Sequence, residues 1–265
     1  MKAIKIFMIM ALSSALAGCS DWLSEDGAPK LTYDYYETKE GVDAAVVSAY
    51  SYLRWGCGGE RFDVLTEMGT DLFIAGSDGN YKASFNMYGT QLNPDLDILD
   101  KMWENHYKGI GTANIGLERI LNSELSESDK KQSYAEMLFI RAFLYFDLVQ
   151  QFGRIPLVTK GSLEVRTDFK RASVYKQIIT DLRECTANLA PTTKEKGRAT
   201  SYAAAHLLAK VYLTRGSAVA DKRGQKPTDM DSALYYSEMV IKEGKEYQLV
   251  KDFADLWDFN NMGNS

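Results

Sequence analysis

Arg141-Ala142-Phe143-Leu144-Tyr145-Phe146-Asp147-Leu148-Val149-Gln150-Gln151-Phe152-Gly153 decides the fold of this 265-residue chain. With Leu138 and Ile140 just before it, the stretch is apolar on nearly every side of a helix, which a helix facing water could not tolerate. It therefore predicts a helix inside a layer of other helices. A capping-box-like start at Ser126-x-x-Asp129 opens this helix, and Gly153 with Pro156 beyond it closes it.

Outward from that centre, apolar residues recur at helical spacing almost throughout, and strand-like alternation is rare. The fold class is mainly α. Upstream, a helix is expected from about Lys39 to Arg54, burying Val42, Ala45, Val46, Ala49 and Leu53, and another from Leu99 with the stripe Trp103, His106, Ile110, Ala113, Leu117, Leu121. Downstream, helices are expected over about Ser173–Leu189, Ser201–Arg215 and Met230–Glu243, with Pro191, Gly216 and Gly244 as their stops. Ala204, Leu207, Leu208, Tyr212 and Gly216, followed by Ala233, Tyr236 and Val240, form a tetratricopeptide-like helix-turn-helix with an enlarged turn at 217–228. Helical-pair repeats of this kind stack into a curved α-superhelix that offers a broad surface to another protein. Between Trp55 and about Asn93 lies a Gly-rich irregular stretch too long for a mere connection, with Gly69-Thr70-Asp71 and Gly76-Ser77-Asp78-Gly79-Asn80. Long irregular loops in compact domains tend to carry function.

The N-terminus reads as an address. Lys2 and Lys5 form a basic region, Ile6 to Leu16 an apolar one too short to span a bilayer, and Leu16-Ala17-Gly18-Cys19-Ser20 a lipoprotein processing site. Residues 1–18 are thus expected to be a signal peptide and Cys19 the lipid attachment point. A lipidated linker over 19–38, with Tyr33, Tyr35 and Tyr36, would lead to a helical domain over 39–265. More than one acyl chain, at about 0.8 kcal/mol per buried methylene, makes a stable membrane anchor. Removing residues 1–18 leaves 29 basic against 36 acidic side chains, a net charge of −7 that disfavours nucleic acid as a partner.

Little in the sequence speaks for catalysis. Cys57 and Cys185 are too few for a disulfide framework and lack zinc-ligand spacing; Cys185 falls on the apolar stripe Val174, Ile178, Leu182, Leu189 as a core thiol. Cys57 sits in a Gly-rich loop without an assigned purpose. His106 and His206, the two histidines, fall on faces expected to be buried, which disfavours a metal site or catalytic base. Asp71 and Asp78 lie beside Gly-rich turns but lack a complete calcium-loop pattern, so turn formation accounts for them better. No nucleophile-elbow, zinc-protease or phosphate-loop motif is present, and no pair of carboxylates is singled out for glycoside hydrolysis. The expectation is a non-enzyme without a cofactor.

Several segments, in order, resemble the SusD/RagB family of surface nutrient-binding lipoproteins. They are Met68-Gly69-Thr70-Asp71; Trp103-Glu104-Asn105-His106-Tyr107 leading to Ala113-Asn114; the Arg141–Gly153 stretch with Ile155-Pro156-Leu157-Val158; Ile178-Ile179-Thr180-Asp181-Leu182; and Gly197-Arg198-Ala199-Thr200 running into 205–213. The resemblance implies an outer-membrane lipoprotein facing the cell exterior. Such a protein binds a glycan or other nutrient and partners a SusC-like TonB-dependent transporter. It also implies that relatives continue well beyond Ser265, so that many ligand contacts would lie in an absent second half. In that case the helices around Phe143 and Leu207 would need cover from a neighbour.

The resemblance places the loop after Gly69-Thr70-Asp71, residues 73–91, near the ligand face. Tyr81, Asn86 and Tyr88 are the candidate ligand-binding residues there: sugar rings lay C–H faces on aromatic planes and pair hydroxyls with amides. The other reading is that these three side chains pack the loop. Trp103, Tyr107 and Asn114 are expected to be structural, the buried Asn hydrogen-bonded by its neighbours. Two alternatives to nutrient delivery stay open: a shortened transporter-docking scaffold that binds little or no ligand and, more remotely, a surface glycosidase.

Overall fold

The computed structural model describes residues 33–56, 60–161, 169–218 and 223–258. Cys19 and Cys57 lie outside the described residues. Among the described residues the regular elements are all helical: α1 Lys39–Ser51, α2 Glu60–Thr66, α3 Asp97–Asn122, α4 Glu127–Gln151, α5 Arg171–Asn188, α6 Ser201–Gly216 and α7 Asp229–Glu243. Short 3-10 turns occupy Tyr33–Glu37, Tyr52–Trp55 and Phe253–Leu256, and a single π-type turn Lys82–Asn86.

The helix starts follow from side-chain caps. The Thr38 hydroxyl accepts from the Gly41 N–H at 3.2 Å, Ser126 from Asp129 at 3.1 Å, and Thr200 from Ala203 at 3.1 Å. Each satisfies one of the donors a helix N-terminus leaves without an internal partner. The helix start read at Ser126 is therefore present, with Ser126 as its N-cap.

From α3 onward each helix packs chiefly on its neighbours in sequence, α3 on α4, α4 on α5, α5 on α6 and α6 on α7, while α1 lies across α3 and α4. The result is the helical-pair superhelix expected from the periodicity. At its centre is α4, with Ala135, Met137, Leu138, Ile140, Ala142, Leu144, Tyr145, Phe146, Leu148 and Val149 all buried. At about 1.5–3 kcal/mol for each large apolar side chain removed from water, this one helix contributes much of the drive to fold. Close approach of α3 to α4 requires Gly109, where a Cβ would fall 2.5 Å from Leu144 Cδ1.

A polar clamp runs through the same layer. Arg141 on α4 donates from Nε and Nη2 to the two carboxylate oxygens of Asp181 on α5, both at 2.8 Å, and from Nη1 to Asn114 Oδ1 on α3 at 2.9 Å. Asn114 Nδ2 donates to the Val158 carbonyl at 3.0 Å, and the Tyr145 and Tyr107 hydroxyls donate to the Val158 and Pro156 carbonyls, both at 2.7 Å. Three helices and the 155–160 segment are thereby held in one register. Burial pushes the Asp181 carboxyl up, and the Arg141 guanidinium and Gln177 amide pull against it. The bidentate geometry is that of an ion pair. Trp103 packs on Tyr107 and Phe152, so the structural roles read for Trp103, Tyr107 and Asn114 hold. Cys185 is fully buried, as its stripe implied.

The structure corrects several expectations. α1 ends at Ser51, and Tyr52–Trp55 tightens into a 3-10 turn that carries the chain away. The Trp55–Asn93 stretch holds α2, anchored by buried Val64, as well as the π-type turn. Leu121 is exposed and Ile120 is buried in its place: Leu121 falls on the same edge of the stripe as half-buried Trp103, about five turns on, and lies in the last turn of α3. His206 is also exposed, on the side of α6 that carries exposed Lys210 and Leu213. Leu207 is buried within the chain, and Phe143 is half-buried, packed against the core beside Phe139. Exposed apolar side chains gather instead on α7 and after it: Leu234, Tyr235, Ile241, Leu249, Phe253 and Trp257.

Candidate functional site

The loop between α2 and α3 is held by its own side chains. Gly69 takes φ +80°, a left-handed conformation open to glycine at little cost, and a Cβ there would fall 2.1 Å from the Phe85 carbonyl oxygen. The Gly69 N–H donates to the Phe73 carbonyl at 3.0 Å and closes a tight turn. Thr70 accepts at its hydroxyl from the Leu72 N–H at 3.3 Å and donates to the Glu67 carbonyl at 2.8 Å. The turn role preferred for this segment is the one it has.

All three candidate binding residues pin this loop. The Tyr81 hydroxyl donates to Asp97 Oδ1 at 2.8 Å, tying the π-type turn to the first residue of α3. Asn86 Oδ1 accepts from the Ala75 N–H at 2.8 Å, and the Tyr88 hydroxyl donates to the Gly69 carbonyl at 3.0 Å. Tyr81 and Tyr88 both have positive φ, +57° and +49°, uncommon for residues with a Cβ. Tyr81 and Asn86 are half-buried, whereas Tyr88 is 63% exposed. Leu72, Ile74 and Met87 of the same loop are exposed as well. Burial first, then the hydrogen bond to Asp97, holds the Tyr81 phenol above its ordinary range; Lys101, 2.6 Å from Asp97 Oδ2, and Tyr81 hold the Asp97 carboxyl below its own.

One pairing escaped the sequence reading. His106, buried on α3, faces Asp147 on α4, with Nε2 3.3 Å from Oδ2, although the two are 41 residues apart. His106 was legible as a buried residue. Its partner was not, because Asp147 sits in an otherwise apolar run whose rotation about the α4 axis only packing sets. Among the described residues no group of three or more His, Cys, Asp or Glu side chains could hold a metal ion, and no helix is long and apolar enough to cross a membrane.

Stacked helical pairs carrying one long, internally pinned loop define a repeat scaffold of the kind that presents a binding surface. The SusD-like family described as "Starch-binding associating with outer membrane" matches residues 22–213, and the chain belongs to that family. It is 28% identical to "SusD-like protein P2" of Formosa agariphila over 98% of this chain and 50% of that one. To a "SusD-like protein" of Bacteroides ovatus it is 28% identical over 98% and 48%. Among solved structures, a "Laminarin binding SusD-like protein" superposes with a TM-score of 0.71 at 26% identity, covering 87% of this chain and 50% of that one. The chain spans about half the length of the relatives it matches.

Proposed function

We propose that this chain is a cell-surface lipoprotein of the outer membrane, anchored through Cys19, that binds a glycan or other nutrient and hands it to a SusC-like TonB-dependent transporter. The observation that carries this reading is family membership across residues 22–213, supported by the likeness in fold to a laminarin-binding protein. In this reading Tyr88 offers its exposed ring to a sugar face, while Tyr81 and Asn86 hold the loop in shape and contribute polar edges. No step of bond breaking is required, so the chain acts as a binding protein and not as an enzyme.

Calorimetry of the full chain against laminarin and starch oligosaccharides tests the reading. Tyr88→Ala is expected to weaken binding by about 1–3 kcal/mol, as loss of an aromatic at a binding centre does. Binding that neither Tyr88→Ala nor Tyr81→Ala alters would remove the loop from the site. Membrane fractionation tests the anchor: Cys19→Ala should release a folded chain into the soluble fraction, and a variant that still pellets without any transporter would refute it. A second reading, a transporter-docking scaffold that binds little ligand, draws support from the hydrogen bonds that already occupy all three candidate side chains. A chain that co-purifies with a transporter yet takes up no glycan would favour it.

A further inference from the structure

A cleft of about 320 Å³ opens between the Tyr52–Trp55 turn, α2, α3 and α4, and neither loop tyrosine lines it. Its size is at the lower end of the roughly 300–1,000 Å³ that small-molecule sites occupy. Trp55 and Phe62 supply an aromatic wall, and Glu67, Asp147, Gln150 and Lys210 supply polar groups. Two cationic and aromatic neighbours hold the indole of Trp55: the ring of His106 meets it edge-on at 5.8 Å, and the Arg61 guanidinium lies 5.7 Å from its centre.

His106, 3% exposed, forms the floor. Its Nδ1 is 2.9 Å from the Met102 carbonyl oxygen and its Nε2 3.3 Å from Asp147 Oδ2. These two contacts seat the ring between α3 and α4. Glu67 and Asp147 bring two negative charges to the cleft, and Lys210 in its lining and Arg61 over Trp55 bring two positive ones. With two charges of each sign, the cleft has no net attraction for an ion. Asp147 keeps a quarter of its side chain accessible and has acceptor capacity beyond His106; Gln150, exposed, donates from Nε2 to the Phe146 carbonyl at 3.2 Å and keeps its amide oxygen and second N–H for a ligand.

A flat aromatic wall, a fixed carboxylate, an exposed amide and zero net charge suit a neutral ring rich in hydroxyls. We propose that this cleft is a second carbohydrate subsite, separate from the 73–91 loop, which takes one neutral sugar ring with its apolar face on Trp55 and its hydroxyls on Asp147 and Gln150. The choice of a sugar rests on the glycan-binding reading above; the aromatic wall and the charge balance carry the location.

The test is a titration of the full nitrogen-15-labelled chain with glucose, laminari-oligosaccharides and malto-oligosaccharides, followed by nuclear magnetic resonance. The indole signal is assigned through Trp55→Phe. The Trp55 indole and Gln150 amide should shift and saturate with at least one of these sugars. Gln150→Ala, at an exposed position, and Asp147→Asn should each weaken that response about tenfold, the scale of a lost hydrogen bond to a charged or polar partner. Tyr88→Ala should leave it in place. A Trp55 signal that no sugar moves, or that moves equally in Gln150→Ala, overturns the proposal. Loop signals that shift while Trp55 stays still would sink this subsite and leave the loop reading standing; a Trp55 response indifferent to Tyr88→Ala, without any loop response, would do the reverse.

Discussion

The α3–α5 body and the loop before α3 are held by opposite means. In the body, Arg141 and Asp181 meet from residues 40 apart, their side chains 7% and 3% exposed, inside a layer of Leu, Ile and Tyr. In the loop, Tyr81, Asn86 and Tyr88 make hydrogen bonds that span 11 to 19 residues, all partly or fully open to water, and two of the three residues have positive φ. Buried bonds are costly to break because nothing replaces the lost partner, whereas exposed ones exchange with water. The body should therefore unfold as a unit, and the loop should open locally well before it.

Arg141→Ala should break this contrast most severely. It leaves the Asp181 carboxylate buried without its counter-charge and should cost about 3–5 kcal/mol, read as a fall in the urea midpoint. A variant within 1 kcal/mol of the parent, an error band on the order of RT, would mean that the clamp is dispensable. Next comes Gly109→Val, which forces a side chain into the 2.5 Å approach to Leu144 and should lose about 1–3 kcal/mol in the same assay.

Effects in the loop should be smaller and local. Gly69→Ala strains a left-handed residue and crowds the Phe85 carbonyl; the left-handed strain alone is about 1–2 kcal/mol, to be seen as faster amide exchange over 69–89 with the helices unchanged. Loss of global stability to match would show that loop and body fold together. Tyr81→Phe removes only the hydroxyl that reaches Asp97, so exchange should quicken in the Lys82–Asn86 turn while the melting temperature stays put. The smallest effect comes from acid. Because the Asp97 carboxyl is held low by Lys101 and Tyr81, its contribution is complete at neutral pH. That contribution starts to fall once the pH drops below about 3.9, the unfolded value, and vanishes on passing the folded value beneath it. Amide exchange at the start of α3, corrected for intrinsic pH dependence, should rise over that window in the parent and not in Asp97→Asn.

Helix type and order were legible because burial repeats along the chain: the all-round apolar face of α4 admits one placement, inside the layer. Caps at Ser126 and stops at Gly153 and Gly244 are local chemistry, readable from neighbours in sequence. Leu121 and His206 were misplaced for a physical reason, since a stripe extended to its last turn, or drawn on a helix at the margin of the layer, says nothing about where cover ends. The loop residues were legible as candidates by type, and their hydrogen bonds to Asp97, Ala75 and Gly69 were not.

By itself the sequence determined that this is a helical-pair protein of the SusD-like family, because periodicity and ordered motifs survive without knowledge of contacts. Only the tertiary structure decided that Arg141 pairs with Asp181 and Asn114, that His106 meets Asp147 over a cleft walled by Trp55, and that Tyr88 is the exposed tyrosine of the loop. Those pairings join residues far apart in the chain. Their geometry depends on how each helix is rotated and seated against the next, which close packing of many side chains sets and no local stretch encodes.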